Sequence, residues 1–152
     1  MPDIFQDDFY DFLKALNDNK VVYLVVGGFS VLLYGHARVT GDMDIWVERT
    51  EENYIKLVRA FHQFHMPVFD MTKENFLHHD EWDVFKYGRK PVAIDIMTKV
   101  KGLNFKECYA IAKEFEDGDI KIKTLHINHL LLAKKEAGRL KDLDDIDQLT
   151  KE

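Results

Sequence analysis

Residues 21–46 read VVYLVVGGFSVLLYGHARVTGDMDIW, and this stretch decides the fold. Val21–Val26 is a short apolar run rich in β-branched residues, the pattern of a buried strand. Gly27-Gly28 ends it, and FSVLLYG (29–35) reads as a short helix stopped near Gly35. MDIWVE (43–48) then alternates, with Met43, Ile45 and Val47 pointing one way and Asp44, Trp46 and Glu48 the other. A sharp strand-to-helix turn presents free backbone N–H groups, which together with the helix dipole attract phosphate. Glycine lets the backbone come close to an anion because it has no Cβ. Ser30, in the first helical turn, adds a hydroxyl. By itself a glycine pair is more often an ordinary tight turn.

Asp42 and Asp44 stand two apart at the start of a strand, so their carboxylates project to one face. Like charges that close repel and raise each other's pKa. A divalent cation relieves the conflict, and Mg²⁺ (or Mn²⁺) takes a few carboxylate oxygens together with substrate phosphates and water. An isolated Asp-x-Asp is more often a solvated strand end, but a third acid changes the balance. VAIDIMT (92–98) places Asp95 inside an otherwise apolar strand, where a charge is costly unless exposed or paired. If that strand lies beside the Asp42/Asp44 strand, three carboxylates converge. Such a set can hold one or two metal ions, and Asp95 can take the proton of an attacking hydroxyl.

Helix and strand patterns alternate around this centre. Residues 3–18 carry Ile4, Phe5, Phe9, Phe12, Leu13 and Leu16 at helical spacing, and 51–64 repeat the pattern through Tyr54, Leu57, Val58 and Phe61. WDVFKYG (82–88) and PVAIDIMT (91–98) read as strands joined by the turn GRK, NFKECYAIAKEF (104–115) as a helix and DIKIKTL (119–125) as a strand. HLLLAKKEAG and RLKDLDDIDQL form two helical segments around Gly138. The expected architecture is α/β (α+β), a mixed β-sheet flanked by helices, in a single domain over 1–152.

The chain is 46% hydrophobic and 12% aromatic, enough to build a core and to exclude disorder. Acidic residues exceed basic ones, 27 to 21, which argues against coating nucleic acid by bulk charge. Cys108 is the only cysteine, so no intrachain disulfide is possible and a reducing compartment is the simplest setting. MPDIFQDDFYDF lacks a basic segment of the signal-peptide kind, and no apolar run approaches membrane-spanning length. The expectation is a soluble cytoplasmic protein without membrane partners. His62, His65, His78 and His79 have no cysteine partner at zinc-ligand spacing, and LHHDEW (77–82) reads as an exposed loop. Trp46 is expected to pack under a helix. No Gly-x-x-x-x-Gly-Lys-Ser/Thr occurs, which excludes a P-loop NTPase at motif level.

These residues resemble the nucleotidyltransferase superfamily that includes DNA polymerase beta. Its signature is an apolar residue, Gly-Gly or Gly-Ser, a gap, then Asp-x-Asp between apolar residues and a later strand with a third acid. Here Val26-Gly27-Gly28 is followed by thirteen residues, Phe29 to Gly41, then by Asp42-Met43-Asp44-Ile45-Trp46 and later Asp95. The segment Arg38-Val39-Thr40-Gly41-Asp42-Met43-Asp44 and the tail from Lys134 through Gly138-Arg139-Leu140-Lys141-Asp142 to Asp145 look like the minimal bacterial members, including those of toxin–antitoxin systems. The resemblance spans Val21 to Leu149. It implies a nucleotidyltransferase fold in which Gly27, Gly28 and Ser30 cradle a triphosphate, with Arg38 and Lys134 facing the phosphates. It further implies that Asp42, Asp44 and Asp95 serve as metal ligands and catalytic residues. Arg139 and Lys141 either join the phosphates or pair with Asp142 and Asp145, as Lys141 and Asp145 can at i, i+4 on a helix. Many members have Ser where this chain has Gly28.

Two functions follow. One is an enzyme that moves a nucleoside monophosphate, AMP from ATP being the leading choice, to a hydroxyl of an unnamed acceptor with Mg²⁺ and release of pyrophosphate. The alternative is an antitoxin or regulatory binding module with this fold and little catalysis, whose partner would be a protein such as a cognate toxin. The short chain, with little room for an acceptor-binding domain, motivates the second; the intact set of acids favours the first.

Overall fold

A computed structural model describes residues 7–36, 41–89 and 92–150. In chain order the elements are α1 (Asp7–Asp18), β1 (Tyr23–Val26), α2 (Gly27–Leu33), β2 (Asp42–Val47), α3 (Glu51–Gln63), α4 (Lys73–His78), β3 (Val84–Arg89), β4 (Val92–Met97), α5 (Phe105–Ala110), β5 (Lys113–Asp117), β6 (Ile120–Thr124), α6 (Ile127–Ala137) and α7 (Leu140–Thr150). The strands form one mixed sheet in the order β3-β4-β2-β1-β6-β5. β2 runs parallel to β4 and β1 parallel to β6, while the other neighbours are antiparallel.

The period-two alternation of β2 divides the molecule. Met43, Ile45 and Val47 are fully buried in the main core, with Phe12, Leu13, Leu16, Leu57 and Phe61 from α1 and α3. Edge-to-face ring pairs fill that layer, Phe12–Phe61 at 5.7 Å and Phe61–Tyr87 at 4.9 Å. Trp46 points to the other face, into a smaller cluster with Leu24, Val26, Cys108, Leu125 and Leu130, and meets the Phe105 ring edge-on at 5.0 Å. α3 starts where Thr50 accepts a hydrogen bond from the Asn53 backbone N–H, with Glu51 and Glu52 in the first turn to match the helix dipole. The buried Asn53 amide then donates to the Val22 and Glu48 carbonyls at 3.1 and 2.8 Å, fastening α3 across β1 and β2. Among the described residues no helix is long and apolar enough to cross a membrane.

Three expectations need correction. The segment 104–115 is not one helix. α5 is capped by Asn104, whose side chain accepts from the Glu107 backbone N–H, and ends at Ala110; Lys113–Asp117 is then a strand that pairs with β6 around Gly118, at φ +63°. KEFED has helical composition, but hairpin pairing with IKIKT aligns Phe115 with Ile122, and tertiary context overrides local preference. LHHDEW is loop only from His79 on: α4 takes in its first two residues, Leu77 and His78, and is capped by Thr72, which accepts from the Asn75 backbone N–H, and anchored by the buried Phe76. Finally, α2 starts at Gly27 itself, so the glycines form its first turn rather than precede it. The expected GRK turn puts Gly88 and Arg89 in β3, and its last residue lies outside the described residues.

Candidate active site

Strand register builds the site. Asp44 on β2 stands opposite Val26 on β1 and opposite Asp95 on β4. Met43 and Ile45, and Ile94 and Ile96, turn into the main core, so the two aspartates between them are forced to the other face. Asp42, exposed at the start of β2, lies on that same face. The two central carboxylates face one another across the β2–β4 pairing. Burial, then the Asp95 and Asp42 charges, push the Asp44 carboxyl up to about 7, with Lys134 acting in the opposite direction.

Gly27 and Asp44 answer one another. Gly27 has φ +67°, and a Cβ placed there would lie 2.5 Å from Asp44 Oδ2. The strand-to-helix turn is therefore glycine because the Asp44 carboxylate lies against it. Gly28 is buried directly behind.

The cationic side comes from the tail. Gly138, at φ +65°, ends α6 in the left-handed conformation and lets α7 fold back. Lys134, 4% exposed, puts its Nζ 3.0 Å from Asp145 and 3.4 Å from Asp142. Arg139 donates to Asp142 through Nε at 2.5 Å and through Nη2 at 3.1 Å. Burial opposes ionisation of Asp142, but its bonds and charge contacts with Arg139 and Lys134 hold its pKa below the usual carboxylate range. Lys134, and not Lys141, bridges to both tail acids at these distances. Lys86 on β3, opposite Asp95 in register, places its Nζ 3.2 Å from Asp95 Oδ2.

A cavity of about 220 Å³ is lined by Gly27, Gly28, Asp42, Asp44, Lys86, Asp95, Lys134, Arg139 and Lys141. An apolar recess of about 210 Å³ adjoins it, floored by Met97, Val100, Leu130 and Ala133 and sharing Gly27, Asp44, Lys134 and Arg139. The larger groove, about 480 Å³ and lined by Val21 and Ile120, lies at the other end of β1. Its polar groups bond among themselves, as in Lys14–Asp18 and Tyr23–Asn17, so the acids and not the larger volume mark the chemistry.

The structure thus brings Gly27, Gly28, Asp42, Asp44, Asp95 and Lys134 to one place, with Arg139 and Lys141 beside them. Ser30 is not among them: it is fully buried, and its Oγ lies 2.5 Å from the Thr124 hydroxyl, so helix phase turns it toward β6. Arg38 and Thr40 lie outside the described residues. Sequence reading missed Lys86. Its only signal is its place opposite Asp95, and register between strands is not written in local pattern.

Among the described residues, no group of three or more His, Cys, Asp or Glu is already arranged as a metal cage. Mg²⁺ does not require one, since one or two carboxylates complete its shell with substrate phosphates and water. Two register-paired carboxylates, one with its pKa raised toward neutrality, fit a hard divalent cation in donor type and in charge.

No protein-family model and no curated protein matches the sequence. Solved structures do match. A Thermotoga maritima protein assigned as a nucleotidyltransferase superposes with a TM-score of 0.56 at 16% identity, over 92% of this chain and 88% of that one. The lincosamide antibiotic adenylyltransferase LnuA, in its lincomycin-bound crystal structure, gives 0.57 at 18% identity over 96% of each chain. At these identities the likeness is one of fold. The chain has the nucleotidyltransferase fold, a six-stranded mixed sheet with helices on both faces.

Proposed function

We propose that the protein transfers a nucleoside monophosphate from a nucleoside triphosphate, ATP in the leading case, to a hydroxyl of an acceptor. The observation that carries this reading is the register pairing of Asp44 with Asp95 beside Gly27. Asp42, Asp44 and Asp95 would hold Mg²⁺, which when bound supplies charge stabilisation to the reacting phosphoryl oxygens.

The remaining chemistry falls to the chain's own residues. The Gly27-Gly28 turn leaves room for phosphate oxygens against the backbone. Arg139 and Lys141 stand at the cavity wall and offset the triphosphate charge, and the buried Lys134 fixes the wall through Asp142 and Asp145. The acceptor oxygen attacks the α-phosphorus, the bond to the bridging oxygen breaks, and pyrophosphate leaves. Asp95 accepts the hydroxyl proton. Such catalysis is positioning and electrostatic stabilisation rather than covalent chemistry by the protein.

The test is calorimetric titration of ATP and other nucleoside triphosphates into the protein with Mg²⁺, beside a folded Asp42→Ala/Asp44→Ala variant. Metal-dependent binding lost in the variant is expected. No binding by the native protein would overturn the reading.

A further inference from the structure

Three lysines line the acidic cavity, and two of them, Lys134 and Lys86, have opposite surroundings. The Lys134 side chain is 5% exposed and is gripped by two buried aspartates. The Lys86 side chain is 75% exposed, while its partner Asp95 is 12% exposed. β3 is the edge strand, so the Lys86 arm extends from the rim into solvent and holds the cavity only through its ammonium.

We infer that Lys86 is a tethered counter-cation of the site: in the metal-free protein its ammonium neutralises Asp95, and it competes with an incoming divalent cation for that carboxylate. The inference rests on the cation-dependent reading of the site given above. Three features support it. Register places Lys86 directly opposite Asp95, so the pair forms whenever the sheet does. The Lys86 side chain lines the same cavity as Asp42, Asp44 and Asp95, so the field of the whole acidic cluster reaches it. An exposed ion pair is weak, so the arm can leave at little cost, whereas Lys134 cannot. Released, Lys86 stands at the β3 edge as a free cation beside the bound nucleotide.

The experiment measures binding of Mn²⁺ alone, without nucleotide, by calorimetry or by electron paramagnetic resonance of free Mn²⁺ at fixed ionic strength. It compares native protein with Lys86→Met, Lys86→Arg and Lys121→Met, all checked for folding by circular dichroism. Lys121→Met removes the same charge far from the site. Lys86→Met is expected to bind Mn²⁺ roughly two- to fivefold more tightly, since an exposed pair is worth up to about one kcal/mol and tenfold is about 1.4. Lys86→Arg keeps the competitor and is expected to bind no more tightly than native, as is Lys121→Met. Unchanged or weaker binding by Lys86→Met, with native protein still binding, would overturn the counter-cation and leave nucleotidyl transfer standing. No Mn²⁺ binding by any of the proteins would overturn both.

Discussion

The two faces of the sheet share strands but obey different rules. On one, Met43, Ile45, Val47, Ile94 and Ile96 bury hydrocarbon against α1 and α3, and almost nothing there carries charge. On the other, the residues between them are Asp44, Trp46 and Asp95, and the supporting shell includes a buried lysine held by two buried aspartates. The first face makes the fold stable; the second spends part of that stability on carboxylates that repel one another. The lesson is that one alternating strand can serve both ends, because a single-residue step reverses which face a side chain joins.

The largest expected effect lies on the hydrocarbon face. Phe61→Ala removes a fully buried ring that meets Phe12 and Tyr87 edge-on. It should cost about 3–5 kcal/mol in urea unfolding, and nucleotide affinity measured well below the midpoint should be nearly native. A large affinity loss in the folded variant would show that the two faces are not separable.

Gly27→Ala probes the opposite face. Its backbone would have to hold φ +67° with a Cβ 2.5 Å from Asp44 Oδ2. The left-handed backbone alone costs about 1–2 kcal/mol, and displacement of Asp44 should lower Mg²⁺-dependent ATP affinity by at least about tenfold, near 1.4 kcal/mol. Combining it with Asp44→Ala should restore part of the stability, because the clash then has no partner. Strictly additive stability losses would refute the close approach.

The smallest effect is a pH dependence. The Asp44 carboxyl, raised to about 7 in the folded protein, is near 3.9 when unfolded. The folded state therefore binds the proton more tightly, and this contribution is complete below about pH 4 and fades as pH rises through about 7. Asp44→Asn keeps a neutral side chain throughout. In metal-free melts the variant should gain on native protein between pH 5 and pH 8, with most of the gain below about pH 7. Parallel melting curves would remove the carboxylate conflict from the account.

Much of this second face was legible in the chain. Alternation in MDIWV and the lone acid in VAIDI were enough to align Asp44 with Asp95 once the two strands were taken as neighbours. What the pattern hid depended on contacts between distant segments. Lys86 joins the acids through register, Ser30 leaves them through helix phase, and KEFED becomes a strand only because IKIKT pairs with it. Lys134 lines the cavity, and its grip by Asp142 and Asp145 follows from the α6–α7 reversal at Gly138.

The most direct test of the central claim is where a cation goes. ¹⁵N-labelled protein would be titrated with Mn²⁺ in the presence of ATP, and paramagnetic broadening mapped along the chain. Broadening is expected to centre on Gly27, Gly28, Asp44 and Asp95 and to disappear in Asp42→Ala/Asp44→Ala. Broadening centred instead on the groove at Asp18, Glu114 and Asp119, or none at all, would contradict the claim.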